Sequence, residues 1–316
     1  MVDHYQINSC LRLFSLRYSH FIHKTPLWKL PGKAVGADCA EVWLKLEHLQ
    51  TGGSFKARGM LNRMISHTIP ASGVVIASGG NAGIAVAAAA KELGVRCEVF
   101  VPEVSSAAKR AKLAALGATV VVAGATYADA AKACVTRQTE TGALMAHAYD
   151  QPEVLVGSGT LALEIEQQAG VPDSVLVSVG GGGLIGGVAS WFMQRSRVVA
   201  LEPELAPTLH SARQAGQPVD VAVSGLAADS LGAKRIGDLA WEATQAHVRD
   251  ALLLTDASIR AAQQWLWKEL KLAVEPAAAL PLAALHSGAY KPRADEKVCL
   301  IICGANVDLS TLATLA

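Results

Sequence analysis

The chain has 316 residues, of which 51% are hydrophobic and 17% are charged, and its formal net charge is +1. This length exceeds the size at which a single core stops growing, about 250 to 300 residues, so two lobes with a cleft between them are expected. A charge near zero provides no basic excess for a nucleic-acid backbone or an anionic membrane surface. We therefore expect neither nucleic acid nor a membrane as a partner.

The sequence also indicates a compartment. Charged side chains interrupt the N-terminal region, which argues against a signal peptide, and the apolar runs elsewhere are shorter than the roughly 18 to 20 residues of a membrane span. The six cysteines are scattered without C-x-x-C pairs, which argues against a zinc site and a disulfide framework. We expect a cytoplasmic protein with reduced thiols.

Short β-rich runs alternate with Ala-rich helical stretches from about Val74 onward. The runs are VVIA, CEVFVP and TVVVAG, and the alternation restarts with VLVSV, RVVALEP and KVCLIICG. This order predicts βαβ crossovers and an α/β fold with two mainly parallel sheets flanked by helices, one sheet per lobe. The segment from about Pro203 to Ile236 shows no clean period, and we predict that it is irregular and either wraps the surface or builds part of a site.

Lys56 lies in the stretch GGSFKARG, where a glycine-containing loop turns into a helix. An isolated lysine at such a place is usually an ordinary surface residue. A lysine in a confined, partly desolvated place has a lowered pKa and becomes a nucleophile that forms Schiff bases. The surrounding residues therefore decide between the two interpretations.

Two glycine-rich loops provide candidate anion sites. Ser78-Gly79-Gly80-Asn81 stands between a strand and a helix, where backbone N–H groups can hold a carboxylate. The run Gly180 to Gly183, followed by Leu184, comes after VLVSV and suits a phosphate. The second loop has a rival interpretation, because the spacing G-x-G-x-x-G followed by an acidic residue at Glu202 also matches the dinucleotide-binding fingerprint.

Taken together, GGSFKARG, SGGNAG and GGGGL resemble the fold-type II pyridoxal-phosphate enzymes of the serine/threonine dehydratase and serine racemase family. The resemblance extends from Thr25 to the C-terminus. It implies the two-domain fold of the tryptophan synthase β type, with pyridoxal 5'-phosphate as cofactor. We predict a large cofactor-binding domain formed by residues 1–72 and 151–316, and a small mobile domain formed by residues 73–150.

The resemblance also implies roles for the site residues. Lys56 is expected to bind the cofactor and to move the Cα proton of the substrate. The substrate carboxylate is expected at Ser78, Gly79, Gly80 and Asn81. Cys303 is expected to face the pyridine nitrogen, which a neutral thiol cannot keep protonated, and this favours prompt β-elimination. The remaining expected cofactor contacts are Phe55, Asn81, Gly180, Gly181, Gly182, Gly183, Leu184 and Glu275.

Two residues depart from the pattern of many relatives. Ala82 stands where many relatives have histidine, and the N-A-G form resembles the liver-type serine dehydratases. Gly79 stands where racemases of the family have the serine that acts as the second acid or base. Because glycine has no side-chain proton to give, the sequence disfavours efficient racemisation.

A cation site is also implied by the resemblance. Relatives bind a cation with a glutamate and backbone carbonyls, which correspond to Glu202 and Ala206, and some add an aspartate where this chain has Thr208. Hard divalent ions favour additional anionic ligands. We therefore expect a monovalent ion such as K⁺ rather than Mg²⁺.

The sequence thus predicts an ammonia-lyase that converts a small β-hydroxy amino acid of the L-serine or L-threonine type into a 2-oxo acid and ammonia. Homodimerisation is the habit of the family. The alternatives are a β-replacement enzyme or an amino-acid racemase of the same fold, a dinucleotide-binding oxidoreductase that uses the Gly181 loop, and a non-catalytic amino-acid sensor.

Overall fold

The computed structural model describes residues 2–313 and contains two β-sheets. The strands are β1 (Leu27–Pro31), β2 (Glu41–Lys45), β3 (Val74–Ala77), β4 (Cys97–Val101), β5 (Thr119–Val122), β6 (Leu144–Met145), β7 (Ser174–Ser178), β8 (Arg197–Pro203), β9 (Val248–Leu254) and β10 (Lys297–Ile301). The six-stranded sheet has the order β1-β2-β10-β7-β8-β9, and the four-stranded sheet has the order β5-β4-β3-β6. Every neighbouring pair is parallel except β1 and β2.

Helices flank both sheets. They are α1 (His4–Arg17), α2 (Lys56–Ile65), α3 (Asn81–Leu93), α4 (Ala107–Ala115), α5 (Tyr127–Thr141), α6 (Pro152–Ala169), α7 (Gly183–Phe192), α8 (Thr208–Ala215), α9 (Asp238–His247), α10 (Asp256–Leu270), α11 (Pro276–His286) and α12 (Ser310–Ala313). Within residues 2–313, no helix is long and apolar enough to cross a membrane.

The prediction of an α/β fold with two mainly parallel sheets is confirmed. The predicted runs coincide with β3, β4, β5, β7, β8 and β10. Strands β1, β2, β6 and β9 were not predicted, because β6 has only two residues and the sequences of the other three lack the strand-helix alternation on which the prediction depended. The smaller sheet uses residues 74–145, and the proposed domain boundaries at 72/73 and 150/151 stay a prediction.

One prediction about the 203–236 segment is wrong. Residues 208–215 of this segment form helix α8 rather than irregular structure. Only Thr208, Leu209 and Ala212 of this short helix are buried, so its apolar period is too brief to recognise. Glu202, on the strand β8 that precedes this helix, accepts hydrogen bonds from the N–H groups of Leu209 and His210 in its first turn, and the sequence does not mark Glu202 as that partner.

Helix α2 is held against α6 at very short range. A Cβ added at Gly157 of α6 would lie 2.4 Å from the carbonyl oxygen of Arg58, and one at Gly59 of α2 would lie 2.9 Å from the carbonyl oxygen of Val154. Only glycine permits this approach of the two backbones. The position of α2, which begins with Lys56, is therefore fixed by backbone contact.

Four buried charged side chains lie beneath the start of α2. Arg58 donates to Glu47 through Nε and Nη2, both at 2.8 Å, and to Glu164 through Nη1 at 2.9 Å and Nη2 at 2.8 Å. Lys45 donates to Glu164 at 2.7 Å, and all four side chains are at most 4% exposed. The group, called the buried charge cluster below, is neutral in sum. Its members are Lys45, Glu47, Arg58 and Glu164.

We predict that Arg58→Met destabilises the protein by about 3 to 5 kcal/mol, because the two carboxylates then remain buried with only Lys45 to balance them. Urea unfolding of the cofactor-free protein measures this. The matched control is Arg137→Met, which removes a guanidinium that pairs with Glu98 while 45% exposed and should change the stability far less, because water screens an exposed ion pair. Equal effects of the two substitutions would contradict the prediction.

Candidate active site

The candidate site lies where loops follow the carboxyl ends of β3, β7 and β10. The segment before α2 joins them, because the N–H of Phe55 donates to the carbonyl of Cys303 at 3.0 Å and the N–H of Ala305 donates to the carbonyl of Gly53 at 2.9 Å. Parallel sheets place ligand sites at this edge. The predicted residues Phe55, Lys56 and Cys303 are therefore brought together.

Lys56 is the first residue of α2. Its Nζ donates to the carbonyl oxygen of Ala148 at 2.6 Å and lies 5.2 Å from the ring centroid of Phe55. Burial lowers the pKa of Lys56 to about 8, against the opposing effect of Cys303 and Glu275. A lysine with a lowered pKa provides a neutral amine near physiological pH, as a Schiff-base nucleophile requires.

Asn81 and Glu275 form a hydrogen-bonded pair beside this lysine. Nδ2 of Asn81 donates to both carboxylate oxygens of Glu275, at 2.9 and 3.0 Å. Oδ1 of Asn81 accepts from Asn306 at 2.6 Å, and Lys112 of α4 donates to Asn306. Burial raises the pKa of Glu275 to about 7, although the hydrogen bond from Asn81 lowers it. The amide of Asn81 is thus fixed in one orientation.

Cys303 is buried, and burial followed by the negative charge of Glu275 raises the pKa of its thiol well above the ordinary value. The thiol therefore stays neutral. Gly304 is confined as well, because a Cβ at this position would lie 2.3 Å from Oε1 of Glu275. The motif Cys303-Gly304 thus lies directly against the carboxyl group of Glu275.

The predicted carboxylate loop, Ser78 to Asn81, leads into α3, whose N-cap is Gly80. The first N–H groups of a helix have no partner within that helix and attract anions. A Cβ at Gly79 would lie 3.2 Å from Oγ of Ser105 and 3.3 Å from Cγ1 of Val101. Gly79 therefore faces β4 and the loop after it, with room for a small side chain after slight adjustment.

The second glycine loop, Gly180 to Gly183, leads into α7 and is covered by protein on several sides. A Cβ at Gly181 would lie 2.3 Å from the ring of Tyr149, and one at Gly182, where φ is 88°, would lie 2.4 Å from Cβ of Ala240. Larger residues are therefore excluded. Because the first N–H groups of α7 lack intrahelical partners, the loop offers a phosphate cradle, and Leu184 follows it in the first turn.

Glu202 is fully buried on β8. Its carboxylate lies near the glycine loop, because the side chain of Thr208 contacts both Glu202 and the carbonyl of Gly180. It accepts from the N–H of Leu209 at 2.7 Å and from the N–H of His210 at 2.8 Å, and its Oε1 lies 3.0 Å from Oγ1 of Thr208. Burial raises the pKa of Glu202 to about 7, and these hydrogen bonds oppose that shift. Within residues 2–313, no group of three or more His, Cys, Asp or Glu side chains could hold a metal ion.

Sequence reasoning missed four contributors to the site. Ala148 acts through a backbone carbonyl, which leaves no sequence signal. Tyr149 covers Gly181, Leu231 lies against Gly180, and Asn306 binds Asn81. The motif Cys303-Gly304-Ala305-Asn306 contained the last of these, and its amide beside a strand end was the available signal.

The residues present fit pyridoxal phosphate. The amine of Lys56 contacts Ala148, and the next residue, Tyr149, packs on Gly181. One short segment therefore joins a nucleophilic amine to an anion cradle. If the Gly181 loop bound a dinucleotide, the buried amine of Lys56 would have no role in the site.

Comparison with known proteins agrees with this fit. Residues 18–304 match the model of a family described as pyridoxal-phosphate dependent enzyme. The chain is 36% identical over 279 residues to an L-threonine ammonia-lyase of Geobacter sulfurreducens, covering 87% of this chain and 69% of that protein. It is 34% identical over 305 residues to a phenylserine dehydratase of Ralstonia pickettii, covering 94% and 90% respectively.

The fold agrees as well. The structure of maize serine racemase superposes with a TM-score of 0.91 at 30% identity, covering 99% of this chain and 96% of that one. The family match spans most of the chain. The two sheets, the amine of Lys56 and the glycine cradle are consistent with that match. The chain belongs to the family of pyridoxal-phosphate dependent enzymes, with the fold-type II architecture.

Proposed function

We propose that this enzyme is an ammonia-lyase that eliminates water from a small β-hydroxy amino acid of the L-serine or L-threonine type and releases a 2-oxo acid and ammonia. The observation that carries the proposal is the placement of Lys56, whose amine has a pKa lowered to about 8, beside the neutral thiol of Cys303. The similarity to an ammonia-lyase and to a dehydratase supports the same reaction class.

When bound, pyridoxal phosphate withdraws electrons from the Cα of the substrate. Lys56 would hold the cofactor, and its Nζ would take the Cα proton of the substrate. The carbonyl of Ala148 keeps that amine in place through the 2.6 Å contact. Ser78, Gly79, Gly80 and Asn81 orient the substrate through its carboxylate. The covered glycine loop excludes water from the phosphate side.

Cys303 and Gly79 favour elimination over the competing reactions. A neutral thiol cannot keep the pyridine nitrogen protonated, which weakens the electron sink and favours prompt loss of the β-hydroxyl. Gly79 provides no second acid for the opposite face of Cα. A β-replacement enzyme would in addition need a second nucleophile, and product analysis with and without sulfide separates that case.

The partner and location are part of the same proposal. We infer an amino-acid substrate, a cytoplasmic enzyme and a homodimer. The six cysteines are all free and buried, which is typical of a reducing compartment. Dimerisation rests on the family resemblance, and size-exclusion chromatography with light scattering measures it.

We predict that Lys56→Ala abolishes 2-oxo acid formation from L-serine and L-threonine, because it removes the amine proposed to take the Cα proton. The wild-type protein loaded with cofactor should show a visible absorption band that shifts on substrate addition, while the variant should lack the band. The exposed Lys33→Ala serves as the control and should keep both properties. Retained turnover in Lys56→Ala would contradict the mechanism.

We predict that the wild-type enzyme forms almost no D-serine from L-serine and that Gly79→Ser raises the ratio of D-serine to 2-oxo acid. The new hydroxyl supplies a proton donor once Ser105 and Val101, whose atoms lie 3.2 and 3.3 Å from the added Cβ, shift by a few tenths of an ångström. Chiral chromatography of the product mixture measures the ratio. Gly79→Ala adds the same Cβ without the hydroxyl, and an equal rise in that variant would contradict the assignment.

A further inference from the structure

Thr208 lies between the predicted cation site and the glycine loop. It is fully buried at the first position of α8. Its Oγ1 is 2.6 Å from the carbonyl oxygen of Gly180 and 3.0 Å from Oε1 of Glu202. A hydroxyl carries one proton, and the shorter contact indicates that it is donated to Gly180. The side chain thereby joins the loop to the start of α8.

Glu202 is already engaged by the protein. Oε1 accepts from the N–H of Leu209 and Oε2 accepts from the N–H of His210. A carboxylate at this position satisfies two N–H groups of the first helical turn and complements the positive end of the helix dipole. The carboxylate of Glu202 is thus part of the helix terminus. Its hydrogen bonds anchor α8 to β8.

The remaining donor set is poor for a divalent cation, and the oxygens of the predicted site are already hydrogen-bonded within the protein. Cations of the Mg²⁺ and Ca²⁺ type take six or more oxygen ligands and favour several carboxylates. Besides Glu202, the predicted site offers the carbonyl of Ala206, which already accepts from the N–H of Thr208 at 3.2 Å. In the described part of the chain, no cluster of acidic, histidine or cysteine side chains adds ligands.

We propose that Thr208 is a positioning residue that fixes the phosphate loop directly, so that the loop holds its anion without a bound cation. The proposal rests on the proposed function, in which Gly180 to Gly183 bind the cofactor phosphate. It replaces the expectation of a K⁺ ion at Glu202 and Ala206, which becomes the competing outcome of the test.

The peptide geometry explains how a bond to a carbonyl positions an N–H group. The peptide that joins Gly180 to Gly181 is planar and trans, so its C=O and N–H point in opposite directions. When Thr208 holds the carbonyl of Gly180, the N–H of Gly181 must point away from α8. Without the hydroxyl, this peptide plane is free to rotate, and the buried carbonyl loses its donor.

The experiment measures the dissociation constant of pyridoxal phosphate from the visible absorption of the bound cofactor, after dialysis against a chelator. The wild-type protein is compared with Thr208→Val, Thr208→Ser and Thr208→Asp, each without added metal, with KCl and with MgCl₂. Tetramethylammonium chloride controls for ionic strength. Thr244→Val is the matched control, because Thr244 is also a fully buried threonine that donates to a carbonyl.

In the wild-type protein we expect no change of the dissociation constant with K⁺ or Mg²⁺. Thr208→Val should raise the constant about tenfold, since a buried carbonyl loses its hydrogen bond, whereas Thr208→Ser and Thr244→Val should stay near the wild-type value. Thr208→Asp places a second carboxylate beside Glu202, so its cofactor affinity should become dependent on Mg²⁺. The melting temperature of each cofactor-free variant shows whether a weaker cofactor affinity comes from a displaced loop or from a destabilised fold.

Two outcomes overturn this inference while leaving the proposed function intact. If K⁺ tightens cofactor binding by the wild-type protein more than tetramethylammonium does, a bound cation rather than Thr208 fixes the loop. If Thr208→Val binds cofactor as tightly as Thr208→Ser, the hydroxyl does not position the loop. A wild-type protein that forms no cofactor band at all would overturn the proposed function and this inference with it.

Discussion

The pairing of Arg58 with Glu47 and Glu164 is the constraint on which the site depends. Two carboxylates and a guanidinium removed from water remain stable only while each keeps its partners in good geometry. Arg58 is two residues after Lys56 on α2 and contacts both carboxylates at 2.8 to 2.9 Å. A shift of α2 would break these contacts. The amine of Lys56 is therefore placed by charges that never touch the substrate.

The same cluster couples separate parts of the chain. Glu47 precedes the SFK loop, Lys45 belongs to β2 in the large sheet, and Glu164 belongs to α6, which packs on α2 through Gly157. These elements converge beneath the edge where the strand-end loops gather. The loops can carry the residues that the reaction needs because β2, α2 and α6 beneath them form a rigid support, as in other α/β enzymes.

The features that could be predicted from the sequence are those that consecutive residues determine. Strands such as VVIA and VLVSV are continuous apolar runs bounded by glycine, and the loops after them contain their own anion-binding groups. Contacts between distant residues were not predictable in this way. The carbonyl of Ala148 against Lys56 and the ring of Tyr149 over Gly181 each join segments far apart in the chain, and the cap that Glu202 provides to α8 links a strand to the helix after it. No residue type or spacing marks such partners.

The site also has an asymmetry that bears on its reaction. In the proposed reaction Lys56 serves one face of the substrate Cα, and the residue proposed to face the other side is Gly79. A Cβ built at that glycine would lie 3.2 Å from Oγ of Ser105, which is buried and has no hydrogen-bond partner in the described residues. A serine hydroxyl with no activating partner is a very weak acid and gives up its proton reluctantly. In the proposed reaction a proton taken by Lys56 therefore has no effective donor opposite it, and loss of the β-hydroxyl is favoured.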